Sequence, residues 1–113
     1  MAGLAGFVAV ALGAFGAHAL DNTLSQEQLD WWETATFYLL VHAGVGVALS
    51  LQSEHRRLNL AGVIMVSGAV LFAATLYTMA LGGPRWLGAI TPIGGLGMLA
   101  GWGLIILSAA RSP

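Results

Sequence analysis

The chain has 113 residues, 58% of them hydrophobic and only 8% charged, with no cysteine and a formal net charge of -1. A soluble domain carries roughly 25% charged residues, so this composition, with a mean hydropathy of +0.82, describes a membrane protein. A net charge near zero gives no reason to expect a nucleic-acid partner, and the lack of cysteine removes thiolate nucleophiles, disulfides, palmitoylation and iron–sulfur ligation.

The charged residues are Asp21, Glu27, Asp30, Glu33, Glu54, Arg56, Arg57, Arg85 and Arg111. Between them lie four uncharged intervals, residues 1–20, about 34–51, 58–81 and about 91–110, each near the ~20 residues a helix needs to cross the hydrocarbon. Apolar residues form unbroken runs and do not alternate with polar ones, which excludes a closed barrel and leaves helices, whose backbone groups pair internally. The expected fold is all-α, one compact bundle of four transmembrane helices with both termini on the same side.

The first interval closes on "GAFGAHAL", residues 13–20. Ala5, Ala9, Gly13 and Ala17 form an i, i+4 ladder of small residues, the means by which helices approach closely where lipid offers no hydrophobic contrast. "AHA", residues 17–19, has the small-x-small form of a signal-peptidase site, but no basic segment precedes it and cleavage leaves three spans, so the helix is expected to be retained. His18 ends the ladder and is expected to bond a loop carbonyl, Asp21 or Glu33.

"LSQEQLDWWETA" opens the second helix, with Ser25 as N-cap and Gln28 three residues on in the capping-box arrangement. Trp31 and Trp32 are expected as anchors at the outer interface. Thr34, Tyr38 and His42 repeat at i, i+4 on one face, and His42 lies about 12 Å below the start of the span. The third span carries Ser67, Thr75, Tyr77 and Thr78, with Tyr77 on the face of Ala73 and Ala69, and Thr75 expected to bond its own helix. In "GGPRWLGAITPIGG", Thr91 before Pro92 reads as the N-cap of the fourth helix, Trp86 as a further interface anchor, and Arg85 as reaching headgroup phosphates or the acidic first loop. Gly97 and Gly101 then form a GxxxG, with Gly94 and Gly95 above it. An even number of spans puts Arg56, Arg57 and Arg111 on one side and only Arg85 on the other, so the positive-inside rule places both termini in the cytoplasm.

His18, Tyr38, His42, Tyr77 and Thr91 are the polar residues expected to gather in the outer half of the bundle. Structural hydrogen bonding is the preferred role, and protonation of the two histidines is the alternative, since histidine is the side chain whose unperturbed titration lies near neutral pH. Two histidines without a third ligand fall short of a zinc site, and their different depths disfavour bis-histidine haem, so neither metal nor cofactor is expected. No nucleophile–base pair, phosphate loop or paired carboxylate falls within a span, and the glycines of "GGLGMLAG" follow no strand.

"GAFGAHAL", "ETATFYLLVHA", "LFAATLY" and "ITPIGGLGMLAGW", in this order and over nearly the whole chain, resemble the YgdD-like small inner-membrane proteins, a family of unknown function related to a eukaryotic small transmembrane protein. The resemblance marks Gly13, Phe15, Gly16, His18, Thr34, Ala35, Tyr38, His42, Phe72, Leu76, Tyr77, Thr91, Pro92, Gly94, Gly95, Gly101 and Trp102. It implies a four-span fold and no established substrate. Two features depart from the family pattern: fewer residues precede the first helix, and Ala73, Ala74 and Thr75 stand where Ser-Gly-Ser is usual.

Together these features point to a non-enzymatic structural or interaction module of the inner membrane whose partners are lipids and, through a small-residue face, a further copy. The alternatives are a proton-linked transporter or channel built from several protomers, with His18, Tyr38 and His42 along the path, and binding of a lipid or apolar ligand in a groove opened by the glycines.

Overall fold

In a computed structural model that describes residues 1–52 and 54–110, the chain forms α1 (Ala2–His18), α2 (Gln26–Ser50), α3 (Arg56–Ala80) and α4 (Thr91–Ala110), with no strand among the described residues. Arg111, which enters the charge bias, lies outside them. Two stretches, Arg56–Ala80 and Arg85–Ala110, are long and apolar enough to cross a bilayer, and α1 is a shorter apolar helix of 17 residues.

Local chemistry sets the helix ends. The Ser25 hydroxyl accepts from the Gln28 amide at 3.2 Å, and the Gln28 side chain accepts from the Ser25 amide at 2.9 Å, so two of the free donors at the start of α2 are satisfied. Gln26 donates to Asp30 one turn on, at 2.8 Å. At the same end of the bundle, α3 closes just before Gly82, whose φ of +98° is readily available to glycine and directs the chain out of the helix.

The link into α4 differs from the expected loop. The backbone turns helical at Arg85, runs as a 3-10 segment over Arg85–Ala89 and continues through Ile90 into α4. Short i to i+3 bonds, Ile90 N–H to Leu87 O and Ile93 N–H to Ile90 O, both 2.9 Å, carry the chain past Pro92, which has no amide to donate. Thr91 therefore does not cap α4; its hydroxyl points back to the Leu87 carbonyl at 3.1 Å.

The helices alternate in direction. Gly16 faces Trp32 and Gly6 faces Ala43; Gly46 faces Val66 and Gly62 faces Leu49; Gly68 faces Gly94 and Gly101 faces Met65. Along each pair the numbers run in opposite senses. α3 holds α2 on one side and α4 on the other, while α1 packs chiefly on α2 and barely meets α3. The core is accordingly small-sided: Ala9, Ala35, Ala61, Ala69 and Ala80 are fully buried, with Met65 and Val66 the largest side chains lost completely from the surface. Such a core works by close contact of backbones, as expected where lipid competes on equal terms for apolar surface.

The small-residue ladder of α1 turns out of register. Ala5, Ala9 and Gly16 are buried, Gly13 meets the Thr36 methyl, and Ala17 is exposed. Each i, i+4 step overshoots a full turn by about 40° at 3.6 residues per turn, so three steps carry Ala17 off the seam that Ala5 occupies. Gly16, one residue earlier, takes its place.

Candidate functional site

The buried polar side chains resolve into three separate ties between helices, and the single outer cluster expected from depth does not form. The first joins α1, α2 and α3. Trp32 is only 3% exposed and donates its indole N–H to the Leu12 carbonyl of α1 at 2.7 Å. This corrects its expected role as an interface anchor: Trp32 lies on the face of α2 turned to α1, beside the one position, Gly16, where a Cβ would overlap its ring. The Tyr77 hydroxyl meets the Thr36 hydroxyl at 2.6 Å, and Thr36 reaches the Trp32 carbonyl at 3.0 Å. Each hydroxyl owns one proton, so the chain runs Tyr77 to Thr36 to the carbonyl. The Trp32 and Tyr77 rings close it edge to face at 4.5 Å.

The second tie joins α3 to α4. The Thr75 and Thr91 hydroxyls are 2.6 Å apart, and each also has a carbonyl of its own chain segment, Phe72 at 2.8 Å and Leu87 at 3.1 Å. One hydroxyl donates to the other, and the acceptor spends its proton on its carbonyl.

The third tie reaches from α2 to α4. His42 is 5% exposed and sits midway along the apolar part of α2. Its Nδ1 lies 2.7 Å from the Tyr38 carbonyl, which can only accept, and its Nε2 lies 3.1 Å from the Trp102 indole nitrogen, which can only donate. Only the neutral imidazole with its proton on Nδ1 satisfies both contacts. Tyr38 serves through its backbone; its ring packs on Phe72 at 4.9 Å and lies parallel to His42 at 6.1 Å. No hydrogen bond links this tie to the other two, because α3 stands between α2 and α4 and only a side chain as long as Trp102 reaches past it.

His18 joins none of these. It is exposed at the end of α1 and makes no hydrogen bond with the described residues, neither to Asp21 nor to Glu33. On the same end of the bundle Arg85 pairs with Glu27 at 3.0 Å and covers the Trp31 ring at 5.5 Å, while Trp86 is 63% exposed. Between α3 and α4 the glycine contacts are made to backbone: a Cβ on Gly68 would stand 2.6 Å from the Gly94 carbonyl oxygen, and one on Gly97 3.0 Å from Gly68 Cα. Gly101 likewise leaves room for Met65 and the Ala61 carbonyl.

Sequence reasoning missed Gly68 and the pairing of His42 with Trp102. For Gly68 a signal existed: Ala61, Met65, Gly68, Phe72 and Thr75 recur at three and four residues, in the opposite order to Gly101, Gly97, Gly94 and Thr91. For His42 none did, since the donor lies 60 residues away on a helix with no direct seam to α2.

Among the described residues no group of three or more metal-ligating side chains occurs, and no buried side-chain nitrogen or oxygen lacks a partner. The fold and its ties define a class: a small all-α protein of membrane type, with glycine-lined helix contacts and isolated polar ties between helices. Within that class the chain belongs to the family described as a protein of unknown function, DUF423, which matches residues 12–95. It is 39% identical to the UPF0382 inner membrane protein YgdD of Escherichia coli strain K12, over 97% of this chain and 86% of that protein. A UPF0382 membrane protein of Staphylococcus saprophyticus is 40% identical over 92% of this chain and 88% of its own. The resemblance carried by the four motifs thus holds, the first three lying wholly within the family match. No solved structure matches the chain.

Proposed function

We propose that the chain is a four-span protein of the inner membrane that acts as a non-enzymatic structural or interaction module, with both termini in the cytoplasm. The observation that carries this reading is His42: both of its ring nitrogens are committed to neighbours that fix one neutral tautomer, so the most buried ionisable group of the bundle serves as a brace. Membrane placement is supported by the two long apolar helices and by the names of the relatives in Escherichia coli and Staphylococcus. For α1, 17 residues span about 26 Å at 1.5 Å each, close to the ~30 Å of a hydrocarbon core.

A proton path along His18, Tyr38 and His42 finds no continuity here, since His18 stands apart and the Tyr38 hydroxyl bonds nothing described. The two readings separate in one set of variants. His42→Ala, Trp102→Phe and the double variant, unfolded in detergent, are expected to show a coupling of about 0.6–1.7 kcal/mol, the range for interhelical hydrogen bonds in membranes. Liposomes carrying the parent protein are expected to pass protons no faster than empty ones. Proton flux that disappears in His42→Ala, with no energetic coupling to Trp102, would falsify the module reading.

A further inference from the structure

The α1–α2 seam carries a groove that none of the ties explains. Its inner part, about 590 Å³, is bounded by Gly3, Phe7, Val10, Leu40, Gly44 and Val47, over the contact of Gly6 with Ala43. Its outer part, about 260 Å³, is bounded by Gly13, Ala17, Trp32, Glu33, Thr36 and Phe37. The two parts lie along one line. On α2, Glu33, Phe37, Leu40, Gly44 and Val47 follow at four, three, four and three residues, and on α1 Ala17, Gly13, Val10, Phe7 and Gly3 run in reverse at four, three, three and four, so each set forms a single helical stripe. From Phe37 to Val47 the apolar part is about 15 Å long at 1.5 Å per residue, half of a ~30 Å hydrocarbon core, and therefore the depth of one leaflet.

The mouth of the groove supplies the chemistry of an occupant. Glu33 lines it with a carboxylate that has no ion pair or hydrogen bond among the described residues, whereas Glu27, on the other side of α2, is paired to Arg85. Phe37, 62% exposed and one turn along α2 from Glu33, lines the same mouth, and a carboxylate with an open aromatic ring nearby favours an ammonium group. The groove on the α1–α3 side, about 580 Å³, has no charged side chain along it.

We propose that the α1–α2 groove binds one phospholipid with an ammonium headgroup, the ammonium at Glu33 and an acyl chain along the stripe from Phe37 to Val47. The site assumes the membrane setting but not the bracing role of His42, so failure here leaves the coupling of His42 to Trp102 untouched.

The test is native mass spectrometry of the full chain, released from detergent with equal amounts of phosphatidylethanolamine and phosphatidylglycerol of identical acyl chains. One phosphatidylethanolamine is expected to be retained with about fivefold preference, the factor that corresponds to ~1 kcal/mol for a partly exposed ion pair. Glu33→Gln is expected to bring the ratio to about one. Gly44→Leu, which fills the groove at a position with no atom within 4 Å of its Cβ, is expected to lower total retention of both lipids, and Gly3→Leu, equally open, repeats the result if the first variant unfolds. Equal retention by the parent, a preference that survives Glu33→Gln, or retention that survives both leucines overturns the proposal. So does a dimer that excludes lipid and is lost in Gly44→Leu, which would assign the groove to a second copy.

Discussion

At the scale of single residues, glycines that look alike in the sequence divide by what stands opposite them. A Cβ at Gly16 meets the Trp32 ring, while one at Gly44 meets nothing within 4 Å. Gly16→Ala must push the indole off α1 and break its bond to the Leu12 carbonyl, an overpacking cost of about 1–3 kcal/mol. Gly44→Ala carries no such cost and gains helix propensity, worth at most about 1 kcal/mol. Thermal unfolding in detergent is expected to fall for the first and to hold or rise for the second; equal losses would mean that Trp32 does not rest on α1. The same pair marks what one sequence reveals. That "GAFGAHAL" forms a packing face is legible from its small residues. Which glycine admits an aromatic ring is not, because the answer depends on how α1 is rotated against a helix whose register the sequence does not encode locally.

At the scale of elements, the α3–α4 contact is the one in which glycines bring backbone against backbone. A Cβ on Gly68 stands 2.6 Å from the Gly94 carbonyl and 2.8 Å from the Met98 amide nitrogen, and one on Gly94 stands 2.6 Å from Gly68 O and Phe72 N. No side chain is available to move aside, so the helices themselves must part. Gly68→Ala and Gly94→Ala are each expected to cost near the upper end of the ~1–3 kcal/mol of overpacking. The double variant is expected to cost less than the sum, since one separation relieves both. Gly95→Ala, with open space at its Cβ, is the control and is expected to unfold like the parent; additive losses in the double variant would place the two glycines at separate contacts. The GxxxG of Gly97 and Gly101 is visible in the sequence, as are the helices themselves, from charge-free intervals and the Ser25–Gln28 cap. The early start of the fourth helical segment is not, because "GGPRW" carries every sign of a loop and the 3-10 turn depends on i to i+3 bonds that these residues do not announce. The polar residues were likewise identifiable, but not their partners: depth along a helix says how far in Thr75 or His42 lies and nothing of the direction it faces.

At the scale of the whole molecule, the alternation of helix directions brings the start of α1, the link between α2 and α3 and the end of α4 to one end, and the α1–α2 and α3–α4 links to the other. The two ends differ in charge. Arg56 and Arg57 stand at the first with Glu54, while Asp21, Glu27, Asp30 and Glu33 stand at the second, where Arg85, the one arginine there among the described residues, is paired with Glu27. If this polarity orients the bundle by the positive-inside rule, the two ends face different compartments. The lack of native cysteine makes the test direct, because any introduced thiol is unique. Asn22, in the α1–α2 link, and Gln52, in the α2–α3 link, are both exposed and tolerate a small side chain. A membrane-impermeant maleimide added to intact bacterial cells with a permeabilised outer membrane is expected to label Asn22→Cys at once and Gln52→Cys only after the inner membrane is opened. Labelling of Gln52→Cys alone in intact cells would invert the bundle. Labelling of both would mean that α2 does not cross, and with it would go the groove's position in the leaflet on the acidic side, since Glu33 opens that groove only where α2 runs from the acidic surface into the membrane.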